Sequence, residues 1–391
     1  MNKIGNVKLN VLIFYFSYTL ILMGVMFRQV YGISGLLEKI TQISMVLLLV
    51  NCVININKIN IKKVLILYLV ILLATITKIV TGTNTILIMC LLIIGCRNIE
   101  LKKIIKYDLC IKIPFLVIVC ILYFLDLTNV NLHYRNGIVR HSMGFSNPNV
   151  FSTFILAIVV EYLYLRDKKI NIRDFIIAIG AIFVIDYYAD SRTQILSLVA
   201  VTILLFVNKN TKKILFNNKI VNFITANIFI ILAIASLMLT YSYRQGNEKI
   251  YVLNEIASGR IRRMAEISEK YDINLFGNKL ELVTSLQAKL TGKEQVALDN
   301  VYMYSVLSYG IIPFIGICIL ARKYMKNTIK EKEDVLRAIM LIFLIAGLME
   351  RFCIEVQCNI FLLYFSHILY ENKESIKRKE EIEGESEYLG G

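Results

Sequence analysis

The sequence predicts an all-α polytopic membrane protein, with about twelve transmembrane helices and one large extracytoplasmic loop. Three observations carry this. The chain is 57% hydrophobic with mean hydropathy +0.63, yet its formal charge is +15. Apolar runs of roughly 15–22 residues, the length that crosses a bilayer, recur along it. Lys and Arg alternate between successive connecting segments, as the positive-inside rule requires. The basic charge is therefore read as topology, and nucleic acid is not expected as a partner.

The spans are read at 9–27, 36–54, 64–80, 82–96, 110–127, 149–165, 174–189, 193–208, 220–240, 301–321, 336–349 and 355–370. The runs at 82–96, 336–349 and 355–370 are the shortest. With the N-terminus inside, the inner segments (97–112 among them) carry 28 of the 44 Lys and Arg, the short outer loops 7, and the long segment 241–300 the other 9. Both termini are then cytoplasmic. The chain divides into helices 1–9 (1–240), an extracytoplasmic loop (241–300), helices 10–12 (301–370) and a mixed-charge tail (371–391) expected to be disordered.

The first apolar run lacks a small-residue cleavage site and leads into further spans, so it reads as a retained helix. The eight cysteines lie mostly inside apolar runs and show no metal-ligand or disulfide spacing, with Cys353 and Cys358 the one pair to consider near a surface. There is no Trp, and Tyr gathers at span ends. The span centres are nearly free of charge; Glu161 and His367 sit towards inner ends, where snorkelling relieves them. Charge collects instead at the outer ends, at Arg28, Lys78, Arg135, Arg140, Asp186, Asp190, Arg192, Glu350, Arg351 and Glu355.

The stretch Arg135–Phe154 joins a polar loop to a hydrophobic helix. Gly137 and Gly144 permit turns. Asn147 and Pro148 suit a helix start, Asn by accepting from free N–H groups and Pro by having none to lose. Two arginines, His141 and a helix N-terminus meet there, which fits either an anion site or an interfacial loop. In the tight connection Asp186–Thr193, Ser191 is placed to cap the next helix. Arg192 in its first turn opposes the helix dipole, so it wants Asp186, Asp190 or a bound anion. In 241–300, Ser258-Gly-Arg reads as a helix start. Ile261, Met264, Ala265 and Ser268 share one face, and Arg260 and Arg263, three apart, point the same way. Solvated arginines are the plain alternative.

Taken in order, G-F-S-N-P-N at 144–149, D-S-R-T at 190–193, S-G-R at 258–260, L-F-G at 275–277, D-N-V-Y at 299–302 and Tyr309-Gly310 resemble the Wzy-type polysaccharide repeat-unit polymerases of bacteria, relatives of the O-antigen ligases. The resemblance covers roughly 130–312. It implies a membrane glycosyltransferase on the outer face that polymerises undecaprenyl-pyrophosphate-linked oligosaccharides without cofactor or metal, beside flippase and chain-length regulator partners. The ligase branch commonly carries a histidine where this chain has Asp299, which favours the polymerase. The arginine-to-glycine spacing of some Gram-negative polymerases is not reproduced.

The expected chemistry neutralises a departing pyrophosphate and positions an acceptor hydroxyl. Arg140, Arg192 and Arg260 are expected to cradle the pyrophosphate, with Arg135 and Arg263 in reserve. Asp299 and His141 are the candidate bases, and Asn147, Asn149 and Asn300 support the site. The spans near 149–165, 174–208 and 301–321 are expected to wall a lateral opening for the lipid tail. A lipid-linked oligosaccharide flippase, a ligase and a non-catalytic assembly scaffold are the alternatives. A flippase should show charge through a central cavity, and a scaffold should tolerate loss of the arginines.

Overall fold

A computed structural model describes residues 2–30, 35–56, 60–128, 132–135, 137–211, 218–283, 287–288 and 291–370. The expected disordered tail lies outside the described residues. The fold is largely α-helical. Among the described residues, five helices are long and apolar enough to cross a membrane: α1 (Asn2–Arg28), α2 (Gly35–Ile56), α3 (Ile61–Thr81), α5 (Leu101–Phe124) and α6 (Pro148–Arg166). A sixth is added if α9 (Lys219–Ala226) and α10 (Ile228–Arg244), bent by 62° about Asn227, count as one span. Large apolar side chains such as Leu65, Ile66 and Phe183 stand exposed on the outer helices, as lipid-facing residues do.

Three further apolar helices complete this part of the bundle: α4 (Thr85–Gly95), which is almost wholly buried, α7 (Ile172–Ala189), much of whose apolar surface is exposed, and α8 (Arg192–Thr211). Helix α6 is the central post, packed against α5, α7 and α8 with most of its length buried.

The second half is less regular than its hydropathy suggests. The run at 301–321 is not one helix. It starts as α13 (Val301–Tyr304), widens into a π-turn at Ser305–Tyr309, breaks at Gly310 and continues as α14 (Ile311–Lys330). Gly310 (φ +88) interlocks with Gly277 (φ +82): a Cβ at Gly277 would lie 1.9 Å from the Ser308 carbonyl oxygen. Ile311 and Ile312 donate their N–H groups to Asn274 and Leu275 at 3.0 and 3.1 Å. The L-F-G and Tyr-Gly motifs are thus two halves of one clasp. After α15 (Asp334–Ala346), residues 352–363 run as two short 3₁₀ turns before α16 (Tyr364–Tyr370). Segment 241–300 takes in the end of α10, then α11 (Glu248–Ile256) and α12 (Arg260–Lys270), after which Val283 and Val296 pair as an isolated antiparallel bridge.

Two expectations are corrected inside the bundle. Lys112, counted above with an inner loop, lies within α5 and is fully buried. Glu161 does not snorkel. Its Oε1 is 2.6 Å from Lys112 Nζ, which also meets Asp108 Oδ2 at 2.5 Å, all three residues 0% exposed. A charge removed from water needs such a partner. His367, by contrast, is exposed. Cys353 and Cys358 are buried free thiols.

Candidate functional site

The polar loop expected before α6 folds as a hairpin, β1 (Leu132–Arg135) paired with β2 (Ile138–His141). Its signal was the Asn-Gly dipeptide at 136–137; Gly137 has φ +80, while Asn136 is outside the described residues. Beyond the hairpin, Gly144 (φ +85) passes so close to α5 that a Cβ would sit 2.8 Å from Val119 Cγ1. Phe145 is then fully buried against Phe115, Phe151 and Phe154. Ser146 donates its N–H to the Gln29 carbonyl at 2.6 Å, tying the loop to the end of α1. Asn147 caps α6 as expected, accepting from Asn149 N–H at 2.8 Å, with Pro148 first in the helix.

Strand alternation sends Arg140 and His141 to opposite faces. Arg140 donates to the Ala189 carbonyl (2.6 Å), Asn149 Oδ1 (2.6 Å) and Ser191 Oγ (3.2 Å). Burial and the nearby Arg135 push its guanidinium down to about 10. Ser191 does not cap α8 with its hydroxyl, which donates to Asn149 Oδ1 at 3.1 Å instead. Asn149 Nδ2 donates to Glu350 Oε1 at 3.0 Å, and the same oxygen accepts from Arg260 Nη2 at 3.1 Å. Arg260 also donates to the Met349 carbonyl (3.0 Å) and lies 3.8 Å from Asp299 Oδ2; Arg263 approaches that oxygen at 4.0 Å.

Asn300 sets the far wall. Its side chain accepts from Met303 N–H (2.9 Å) and donates to Ser236 Oγ (3.0 Å) and the Leu348 carbonyl (3.1 Å), while Val301 N–H reaches the Gly347 carbonyl (2.9 Å). Beside it, the Arg351 guanidinium lies 4.5 Å from the centre of the Tyr304 ring. Arg260 and Arg263 do share a face of α12, whose Ile261, Met264 and Ala265 are buried. The cap of that helix is Gly259 in the left-handed region, with no side-chain cap from Ser258.

The fold therefore gathers Arg140, Asn149, Arg260, Arg263, Asp299 and, through backbone support, Asn147 and Asn300. It leaves three predicted residues outside. Arg135 is an ion pair with Asp190, its Nε 3.1 Å from Oδ2. Arg192 is exposed and forms no ion pair among the described residues, so Asp190 serves Arg135 rather than its own neighbour. His141 Nδ1 is 2.8 Å from the Tyr123 hydroxyl, with its ring edge-on to Tyr123 and Tyr188.

The residue that sequence reasoning missed is Glu350, which joins the hairpin side of the cluster to the α12 side. It stood among the outer-end charges, but its partners lie 201 and 90 positions away. Burial and the neighbouring Asp299 push its carboxyl up to about 7, against the opposing pull of Arg260.

A separate apolar cavity of about 500 Å³ lies between α1 and α5, lined by Met23, Phe27, Pro114, Phe115, Ile118 and Leu122 and reaching Asp126 and Thr128. It is not on the spans expected to wall a lipid opening. Among the described residues no group of three or more His, Cys, Asp or Glu is placed to hold a metal. No protein-family model, curated protein or solved structure matches this chain.

Proposed function

We propose that the chain is a glycosyltransferase of the plasma membrane that polymerises oligosaccharide repeat units carried on undecaprenyl pyrophosphate. In this reading about twelve segments cross the bilayer, both termini are cytoplasmic, and the hairpin, α12 and Glu350 face outward. The apolar elements outside the five long helices, including the broken run 301–330 and the 3₁₀ segment before α16, make up the remaining crossings. The growing chain passes from its lipid pyrophosphate to a second lipid-linked unit, beside flippase and chain-length regulator partners.

One observation carries the reading: Arg140, Arg260 and Arg263 converge with the N-termini of α6 and α12 around Glu350 and Asp299. Arginine stays charged and matches phosphate oxygens with a bidentate fork. Two or three charge-assisted contacts of about 1.5–3 kcal/mol each, strengthened as the pyrophosphate departs, supply a large part of the rate. Arg140 and Arg260 are the primary ligands and Arg263 the third. Arg135 orders the hairpin through Asp190, and Arg192 stands at the rim.

A second reading, a flippase for the same lipid-linked unit, is favoured by the buried Asp108–Lys112–Glu161 cluster, because ionisable groups inside a membrane often serve transport. One experiment separates the two. Purified protein in liposomes receives a lipid-linked repeat unit without nucleotide sugar or divalent metal. A ladder of multimers supports the polymerase. Movement of the unit between leaflets without a ladder overturns it in favour of the flippase.

A further inference from the structure

Within that polymerase reading, we propose that Glu350 is the group that takes the proton of the acceptor hydroxyl. The two candidates the sequence offered are less suited. His141 points from the opposite face of the hairpin and shares its Nδ1 with Tyr123. Asp299 faces Arg260 and Arg263 at 3.8 and 4.0 Å, a loose pairing through Oδ2.

Glu350 is differently held. One oxygen, Oε1, accepts both from Asn149 Nδ2 and from Arg260 Nη2, contacts that fix the plane and direction of the carboxylate. The other, Oε2, accepts no hydrogen bond among the described residues, and it is not shut off from solvent, since the side chain keeps 14% of its surface. A carboxylate with one oxygen anchored and the other open is positioned to receive a proton. It stands where the two arginine-bearing elements meet, so a hydroxyl beside it also lies beside the anion-binding arginines.

The charges around Glu350 make its basicity depend on the donor. From α12 it faces Arg260, from the hairpin Arg140, from the chain before α13 Asp299, and from its own segment Arg351; Asn149 of α6 is neutral. Arg260 and Arg140 hold protons off it. A pyrophosphate that shares those two guanidiniums weakens their pull while Asn149 keeps Oε1 in place, and it adds negative charge nearby; both changes raise the proton affinity of the carboxylate. Glu350 becomes the stronger base when the donor is in place. With burial already pushing the group up to about 7, it changes state near neutral pH, where a general base works best.

The step balances without a further reactant. The acceptor oxygen forms a bond to the anomeric carbon as that carbon's bond to the pyrophosphate oxygen breaks. The hydroxyl proton passes to Glu350 Oε2. The bonding pair leaves with lipid pyrophosphate, whose charge Arg140 and Arg260 hold. Glu350 then returns the proton to solvent or to the departing pyrophosphate.

The test uses the full chain in liposomes with the undecaprenyl-pyrophosphate-linked oligosaccharide isolated from source cells that lack this chain, assayed for multimer formation between pH 5.5 and 9. At low donor concentration the wild-type rate should rise along a limb centred near 7, and at saturating donor that limb should move to higher pH. E350Q should lose ~10²–10⁴-fold in turnover, lose that limb, and keep donor binding within about threefold. Formate should partly restore turnover to E350A, a rescue that a purely structural carboxylate would not give. If E350Q fails to fold, E350D carries the test, and it should keep the limb at a reduced rate. E350Q turnover within threefold of wild type, or an unchanged limb in E350Q, overturns the proposal, as does an E350D that turns over without the limb. Wild-type protein that forms no multimers overturns the polymerase reading itself and this inference with it.

Discussion

Lys112→Met is expected to be among the most destabilising single changes in the transmembrane bundle. Lys112 Nζ lies 2.5 Å from Asp108 Oδ2 and 2.6 Å from Glu161 Oε1, and none of the three side chains reaches solvent. Asp108 sits one helical turn before Lys112 on α5, whereas Glu161 lies on α6, so the ammonium is the tie between those helices. Removing it leaves two carboxylates facing each other in an apolar surround. Loss of one partner from a buried ion pair costs about 3–5 kcal/mol, because the surviving charge stays buried without compensation. Replacing all three by apolar residues of similar volume (Asp108→Leu, Lys112→Met, Glu161→Leu) should be close to neutral, since the same desolvation then disappears from both sides. The chain has no Trp to report unfolding, but its buried thiols Cys52, Cys90, Cys96, Cys353 and Cys358 do so. Their reaction with a maleimide dye during heating in detergent gives a melting curve. The K112M midpoint should fall well below wild type and the triple variant should recover most of the loss. A K112M curve superimposable on wild type would refute the reasoning, and so would a triple variant no better than K112M.

Three further outcomes follow from the same geometry. Gly277→Ala and Gly310→Ala should each lower the melting midpoint, because both glycines have positive φ and an added Cβ would lie 1.9 Å and 2.2 Å from backbone atoms; wild-type melting in either would remove the clasp as a structural element. Arg140→Lys and Arg260→Lys should keep the fold and lose ~10-fold or more in multimer formation, while exposed Arg192→Lys should lose little; an Arg192 variant as impaired as the other two would return Arg192 to the pyrophosphate site. Glu350 also links stability to pH. Its folded-state value of about 7 stands above the unfolded 4.5, so its contribution is fully present below about 4.5 and is lost as pH rises through 7. The difference approaches ~3 kcal/mol, and the wild-type midpoint should fall between pH 5 and 8 relative to E350Q.

Local chemistry was legible in the sequence where it acts locally. The Asn147 cap, the Pro148 start, the turn at Gly144 and the shared face of Arg260 and Arg263 all follow from neighbours within four positions. The five long helices were legible through their apolar stretches, although α5 begins well before its own, with the basic cluster from Lys102 to Lys112 inside the helix. Pairings across the fold were not. Asp190 has Arg192 two residues away and pairs instead with Arg135, because β1 brings that guanidinium onto the end of α7. Lys112 reads as the last of a basic cluster, and only the α5–α6 packing shows that Glu161, 49 positions on, claims it. The breaks at 305–310 and 352–363 are equally hidden, since apolar composition does not distinguish a helix from buried irregular chain.

Those breaks explain how a polar site can be held rigidly beside an apolar bundle. Non-helical backbone at membrane depth is tolerated only where protein covers it, because each unpaired N–H or C=O facing lipid costs several kcal/mol. Residues 352–354 and 360–363 meet this condition, with Phe352, Cys353, Ile354, Ile360, Phe361, Leu362 and Leu363 all buried. Their peptide groups are paired at short range: Cys358 and Asn359 N–H reach the Glu355 carbonyl at 2.9 and 2.8 Å, and the fully buried Asn359 donates its side chain to the Cys353 carbonyl at 2.6 Å. A continuous helix from 336 to 370 could not turn back at Gly347–Leu348, where the backbone of Val301 and the side chain of Asn300 dock. The irregular chain permits that docking, and it carries Glu350 and Arg351 on a segment whose next residue, Phe352, is packed against Phe343 of α15. Glu350 is thus positioned by the core and not by a free loop, which is the condition for a carboxylate to present one oxygen in a fixed direction.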